Sequence, residues 1–265
     1  MENNVYLSVI MPAYKEGERI GRTLLEIEEF LGKKEYSYEI LVIVDGSPDN
    51  TAEVAKNYGT QVKNLRVINN PENHGKGYVV RQGLLEAKGK FRLFMDADGS
   101  TSIMHIDKFL AQFSQESVGM VIGSRDVEGA FVQVHQPKYR ELFGDMGNWM
   151  IRIVLGLWKF PDTQCGFKMM RDVTAREVAN RMVVDRFGFD FEMIALSRSL
   201  GYDVVQLPVR WMNEEGSTVT LLGPNGYIQV FVDLFKTKWR FCTGKYHITK
   251  KSVHTPVSEK GVSAQ

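Results

Sequence analysis

Five short runs in the first half of the chain are apolar almost throughout: YLSVIM, YEILVIVD, LRVIN, FRLFMD and GMVIGS. Unbroken apolar character of this kind fits strands covered on both faces rather than strands with one wet side. Between the runs the apolar period becomes helical. Ile20, Leu24, Ile27 and Leu31 mark one helix; Thr51–Tyr58, stopped by Gly59, marks a second. A third spans about Gly77–Ala87 and a fourth about Ile106–Phe113. Strand alternating with helix predicts an α/β architecture, with a mainly parallel, Rossmann-like central sheet flanked by helices on both faces.

After Gly123 the rhythm changes. A polar connector, Asp126–Gln136, leads to an amphipathic segment from Arg140 to Leu157. TQCGFKMM has the composition of another strand, helical patterns follow at Ala175–Met182 and Phe189–Leu200, and DVVQLPVRW reads as strands broken at Pro208. A last helix is expected from about Asn225 to Arg240. No internal repeat is visible.

Bulk properties narrow the function. The net charge of +1 excludes a chain that binds nucleic acid through its overall charge. No basic, apolar leader opens the sequence, and no apolar run approaches the roughly 20 residues of a spanning helix. Cys165 and Cys242 stand far apart without metal-type partners, so a reduced, cytosolic compartment is expected. Lys236, Lys238, Arg240, Lys245, Lys250 and Lys251 gather near the end, and the polar stretch from His254 is expected to be disordered.

In open parallel sheets, ligands bind beyond the carboxyl ends of the strands. Four runs end in polar clusters there: Pro12, Ala13, Tyr14, Lys15 and Glu16; Asp45, Gly46 and Ser47; Asp96, Ala97 and Asp98; Ser124, Arg125 and Asp126. Any one of them alone reads as turn chemistry. Four on one expected rim read as a site. No GxxxxGK[ST] is present, and GKGYVVRQG lacks the third glycine of a dinucleotide loop. Asp96 and Asp98 offer two hard oxygen ligands on one turn, which suits Mg²⁺ or Mn²⁺ bridging a diphosphate. The competing reading makes them capping carboxylates for the helix that follows.

SVIMPAYKEGERI, VDGSPDNT, NHGKGYVVRQGLLEAKGKFRLFMDADGST and GSRD together resemble the family 2 glycosyltransferases of the GT-A fold. PDTQCGFKMM, FGFDFE and PVRWMNEEGST resemble its dolichyl-phosphate β-glucosyltransferase branch, with dolichyl-phosphate mannose synthase as the closest rival. The resemblance covers about Leu7 to Arg240. It implies a single GT-A domain over 1–241, with a nucleotide-sugar half at 5–125, an acceptor half with C-terminal helices at 126–241, and a basic, flexible tail at 242–265.

It also implies roles. Pro12, Ala13, Tyr14, Glu16, Ser47 and Ala97 would line the nucleotide pocket. Asp45 would accept from the base, Lys76 would lie near the phosphates, Asp96 would face ribose or sugar, and Asp98 would hold the metal. Arg125, Arg140, Lys168 and Ser217 would handle the acceptor phosphate or the diphosphate. Asp190 and Glu192 would supply an acidic acceptor-side group. Three departures stand out: Val44 where many relatives have a first aspartate, Thr218 where they often have lysine after Gly-Ser, and a spacing from Gln206 to Arg210 one residue too long for a processive synthase.

The implied reaction is inverting transfer of a hexose, expected to be glucose from UDP-glucose, to a polyprenyl or dolichyl phosphate. Catalysis would rest on Asp96, Asp98, Arg125 and Asp190, with Mg²⁺ or Mn²⁺. Alternatives are mannosyl transfer from GDP-mannose, transfer to a glycan hydroxyl, and non-catalytic binding of a nucleotide sugar. The partners expected are the donor, the lipid phosphate and, peripherally, the cytoplasmic face of a membrane, with no nucleic acid; homo-oligomerisation is left open. Tyr227, Phe231, Phe235 and Trp239 recur every four residues among lysines. That pattern suits either a membrane interface or a core-packed helix, and the spacing favours the core.

Overall fold

The computed structural model describes residues 5–132, 138–212 and 226–248, with the backbone alone at 138–146 and 227. In chain order the elements are β1 (Leu7–Ala13), α1 (Ile20–Leu31), β2 (Tyr38–Asp45), α2 (Thr51–Asn57), β3 (Leu65–Asn70), α3 (Lys76–Glu86), β4 (Phe91–Met95), α4 (Ile106–Gln112) and β5 (Val118–Ser124). There follow β6 (Phe131–Val132), α5 (Lys138–Leu155), β7 (Phe167–Arg171), α6 (Asp172–Ala179), α7 (Phe189–Ser199), β8 (Asp203–Pro208), β9 (Arg210–Trp211) and α8 (Tyr227–Cys242).

Seven strands form one sheet in the order β3-β2-β1-β4-β7-β5-β8. Only β7 runs against the others, antiparallel to both β4 and β5. Two reversals cancel, so β5 points the same way as β4, and β1, β2, β4 and β5 all end on one rim. The expected mainly parallel sheet is present. Its one antiparallel strand comes from the second half of the sequence and wedges between two strands of the first. The polar connector contributes β6, which pairs with β9 in a separate two-stranded ribbon.

Alternation along the strands splits the core between two faces. Leu7, Val9 and Met11 of β1 pack with Ile20, Leu24 and Ile27 of α1 and Phe109 of α4. Ile10 points the other way, toward Val80 of α3, Met193 of α7 and Leu234 of α8. The sheet interior is not wholly apolar. Glu39 accepts from Ser8 Oγ at 2.7 Å, Lys88 N at 2.6 Å and Arg66 at 3.1 Å. Arg92, with no exposed surface, donates to the carbonyl of Leu84 and pairs with Asp172. Each buried charge therefore has partners, which is the condition for tolerating it.

Helix α3 reaches the sheet through Gly83, where a Cβ would run into the side chains of Ile10 and Ile43. Gly83→Ala should therefore destabilise the protein by about 1–3 kcal/mol in urea denaturation, despite alanine's higher helix propensity. A neutral or stabilising result would mean that α3 lifts off the sheet freely.

Candidate active site on the carboxyl rim

The loop leaving β1 is braced by the loop leaving β2. Pro12 and Ala13 are buried at the strand end, and Tyr14 is half-buried with the Lys15 ammonium 5.5 Å from its ring centre. Lys15 takes a left-handed backbone with φ 58°, uncommon outside glycine. Its N–H donates to Ser47 Oγ at 2.8 Å, Glu16 N–H to Thr51 Oγ1 at 2.9 Å, and Gly17 N–H to Asp49 Oδ2 at 3.4 Å. Asp49 in turn accepts both hydroxyls at 2.6 Å. Burial works against its charged form, but bonds from Ser47 and Thr51 outweigh it and hold the carboxyl below its ordinary pKa. Ser47, expected at the nucleotide, is thus a brace for the first loop. The sequence does not distinguish this role for Asp49 and Thr51, because VDGSPDNT also has the composition of a turn before a helix.

Asp45, expected to accept from the base, instead has both oxygens engaged within the protein and anchors the next loop. It is 3% exposed; Oδ1 accepts His74 N–H at 2.8 Å, and Oδ2 accepts Gly75 N–H at 2.8 Å and Asn73 Nδ2 at 2.9 Å. This fixes the turn that delivers Lys76, the first residue of α3. Gly75, at φ 109°, lies so close to the Asp185 carbonyl that no side chain fits.

Lys76 carries that order to the aspartate turn. Its Nζ lies 2.7 Å from Asp96 Oδ1. Burial would lower the ammonium's pKa, but Asp96, Asp190 and Asp98 prevail and raise it, so Lys76 is a fixed positive charge. Gly166 of β7's lead-in approaches Asp96 so closely that a Cβ would collide with the carboxylate, and its carbonyl accepts Asp96 N–H at 3.1 Å. Asp98 Oδ1 accepts Ser100 N–H at 2.9 Å, and the Ala97 carbonyl accepts Thr23 Oγ1 at 2.9 Å. Neither aspartate caps the helical segment after the turn. Ser102 does so, accepting from Met104 N–H, and the capping alternative falls.

Beneath this turn lies a second ion pair. Lys168 has no exposed side-chain surface; its Nζ donates to Asp190 Oδ1 and to the Cys165 carbonyl. A lysine so enclosed cannot reach an acceptor phosphate, which corrects the role expected for it: it holds Asp190. Burial pushes the Asp190 carboxyl up, while Lys168 and Lys76 pull it down; burial prevails. Glu192 is also corrected. It is wholly buried, accepts from Val183 N–H, Val184 N–H and, at 2.6 Å, Tyr246 OH, and faces the core rather than the site.

Arg125 donates through its backbone N–H and Nε to Asp162 Oδ2, at 3.0 and 2.7 Å, and through its terminal nitrogen to Oδ1 at 2.9 Å. Its guanidinium also lies 5.4 Å from the Trp211 ring centre. The fork expected to grip a phosphate is therefore engaged by Asp162, which is fully buried. That pair joins GSRD to PDTQCGFK. Ser217, Thr218 and the Arg140 side chain lie outside the described residues.

The acids of the rim crowd one another. Burial, and the charges of Asp98 and Asp96 against the relief given by Arg19, raise the Glu16 carboxyl to about 7. Arg19 spans its two oxygens at 2.9 Å each. Among the described residues, no three or more His, Cys, Asp or Glu side chains form a metal cluster on their own. The oxygens around Asp98 instead fit a hard cation that takes most of its ligands from water and phosphates.

Residues 8–178 match the family model described as Glycosyl transferase family 2. The chain is 34% identical to a dolichyl-phosphate beta-glucosyltransferase of Trichomonas vaginalis over 97% of its own length and 77% of that protein's. It is 35% identical to the Drosophila melanogaster protein of the same name, covering 91% and 77%. Its fold is similar to that of glucosyl-3-phosphoglycerate synthase from Mycobacterium tuberculosis, solved with Mn²⁺, UDP-glucose and phosphoglyceric acid. That match has a TM-score of 0.65 at 18% identity and covers 89% and 80%. The chain belongs to glycosyl transferase family 2.

Proposed function

We propose that the protein transfers glucose from UDP-glucose to dolichyl or polyprenyl phosphate, with inversion at the anomeric carbon, at the cytoplasmic face of a membrane. The observation that carries this reading is the state of Asp190. Burial raises its proton affinity, but the carboxylate is bonded by Lys168 and shut from solvent, so a hydroxyl acceptor cannot reach it as a base must be reached. A lipid phosphate is anionic at neutral pH and needs no such base. The names of the relatives, at 34% and 35% identity, supply the acceptor and the sugar.

In one displacement, an acceptor phosphate oxygen attacks the anomeric carbon and the bond to the donor's diphosphate breaks on the opposite face. The chain's work is alignment and charge balance. The loops braced by Ser47, Asp49 and Thr51 shape the nucleotide pocket, and Asp45 presents the Asn73–Gly75 turn to the base. Asp96, fixed by Lys76 and Gly166, faces the ribose or sugar. Asp98, with Mg²⁺ or Mn²⁺ bound, would neutralise the leaving diphosphate. Arg125, oriented by Asp162 and still partly exposed, would lend its positive charge to the acceptor phosphate.

The direct test is a donor screen: labelled UDP-glucose and GDP-mannose, each with dolichyl phosphate and Mg²⁺ or Mn²⁺. Butanol-extractable label should appear from UDP-glucose; label from GDP-mannose alone would reassign the sugar. Asp98→Asn keeps an acceptor for Ser100 N–H, so folding should hold while kcat falls at least about 100-fold. Activity within about tenfold of wild type would remove Asp98 from the leaving-group role.

Glu16 adds a pH dependence. Its carboxyl is raised from 4.5 to about 7, so the folded state holds that proton more tightly than the unfolded chain. The associated stabilisation is present at low pH and is lost as pH rises through about 7. The site gains negative charge over the same interval, so Mn²⁺ affinity should rise between about pH 6 and about pH 8. Glu16→Gln should flatten that rise in calorimetric titration; an unchanged rise would place the proton elsewhere.

A further inference from the structure

Helix α8 leaves large apolar side chains in water. Ile228, Val232, Phe235 and Trp239 are 56, 38, 55 and 51% exposed. At about 100° per residue they fall in a stripe roughly 60° wide. Lys236 and Lys238, both exposed, lie roughly 40–60° beyond its two edges. The opposite face is already docked: Leu234 and Thr237 have no exposed surface. The stripe expected from sequence, at every fourth residue, is therefore displaced. That spacing drifts around a helix, and Phe231 turns half-inward while Ile228 and Val232 take its place. The neighbouring α5 exposes Trp149 and Ile153 one turn apart.

Charge selects the partner. The stripe is flanked by cations, and Lys245 Nζ lies 3.9 Å from the Trp239 ring centre. The helix has a single acid, Asp233, which is buried. A second copy laid face to face would oppose lysine with lysine, whereas an anionic lipid surface would meet both the apolar stripe and its flanks. Position agrees. A Cβ on Gly188 would lie 2.8 Å from Asp233 Cβ, so α8 sits directly behind the turn that carries Asp190.

We infer that the outer face of α8 is a membrane seat: its stripe enters the head-group boundary of an anionic bilayer and its lysines meet lipid phosphates. Seated so, the site receives a lipid-borne phosphate from the Asp190 side. This rests on the lipid-phosphate reading above. No helix among the described residues is long and apolar enough to cross a membrane, so a lateral seat on α8 does not compete with a spanning helix there.

The test is sedimentation of the full chain with phosphatidylcholine vesicles, with and without about 20% phosphatidylserine. Wild type should bind the anionic vesicles, and less so in high salt. Phe235→Glu/Trp239→Glu should lose at least about tenfold in vesicle affinity. Lys236→Glu/Lys238→Glu should lose the preference for phosphatidylserine. Both should keep the wild-type melting temperature and their transfer to a short-chain, water-soluble isoprenyl phosphate. Undiminished vesicle binding by Phe235→Glu/Trp239→Glu overturns the inference. So does a wild type that ignores vesicles, or a dimer in sedimentation velocity that this variant alone dissociates. Absence of transfer to the soluble phosphate by wild type, with vesicle binding intact, would instead sink the lipid-phosphate reading and leave the seat standing.

Discussion

The buried pair between Lys168 and Asp190 ties β7 to α7 beneath the site, and the contacts that reach the first half of the chain build on it. Lys168 rides on β7, the one reversed strand, and Asp190 on the first turn of α7. Two charges stripped of water are tolerable only with close partners, and removing one would cost about 3–5 kcal/mol. The pair therefore fixes β7 against α7. β7's lead-in, through Gly166, fixes Asp96, and Asp96 fixes Lys76. From there the order passes through the Asn73–Gly75 turn to Asp45. Ion pairs and backbone hydrogen bonds thus link the end of β4 to the end of β2 along the rim.

The same logic explains why so many polar and charged groups of the rim are held by protein partners. Arg125 is oriented by Asp162, Ser47 by Asp49, and Asp190 by Lys168. Groups locked in this way pre-organise a pocket at low reorganisation cost when substrate binds. Asp98 raises the proton affinity of Glu16 across the rim, a repulsion that a cation bound there would relieve.

Much of this was legible in the sequence, and the reason is geometric. Continuous apolar runs mark doubly covered strands, and a polar cluster after each run marks the rim, so the first-half strands and the four strand ends were readable residue by residue. What was not readable depends on pairing across long separations. Nothing local in TQCGFKMM says that the strand will run antiparallel between β4 and β5, and without that fact Lys168 reads as a cation awaiting a phosphate. Arg125 and Asp162 are separated by a helix in sequence, so their bidentate pair was equally invisible. Glu192 lies two residues from Asp190, and on a helix that offset turns a side chain to a different face.

The proposed chemistry requires an acceptor that brings its own negative charge. The most direct measurement compares glucosyl transfer from UDP-glucose to an isoprenyl phosphate and to the isoprenyl alcohol of the same chain length. With Asp190 committed to Lys168, product should form from the phosphate and not from the alcohol. Comparable rates with the alcohol would show that a base is at work in the site and would contradict the account.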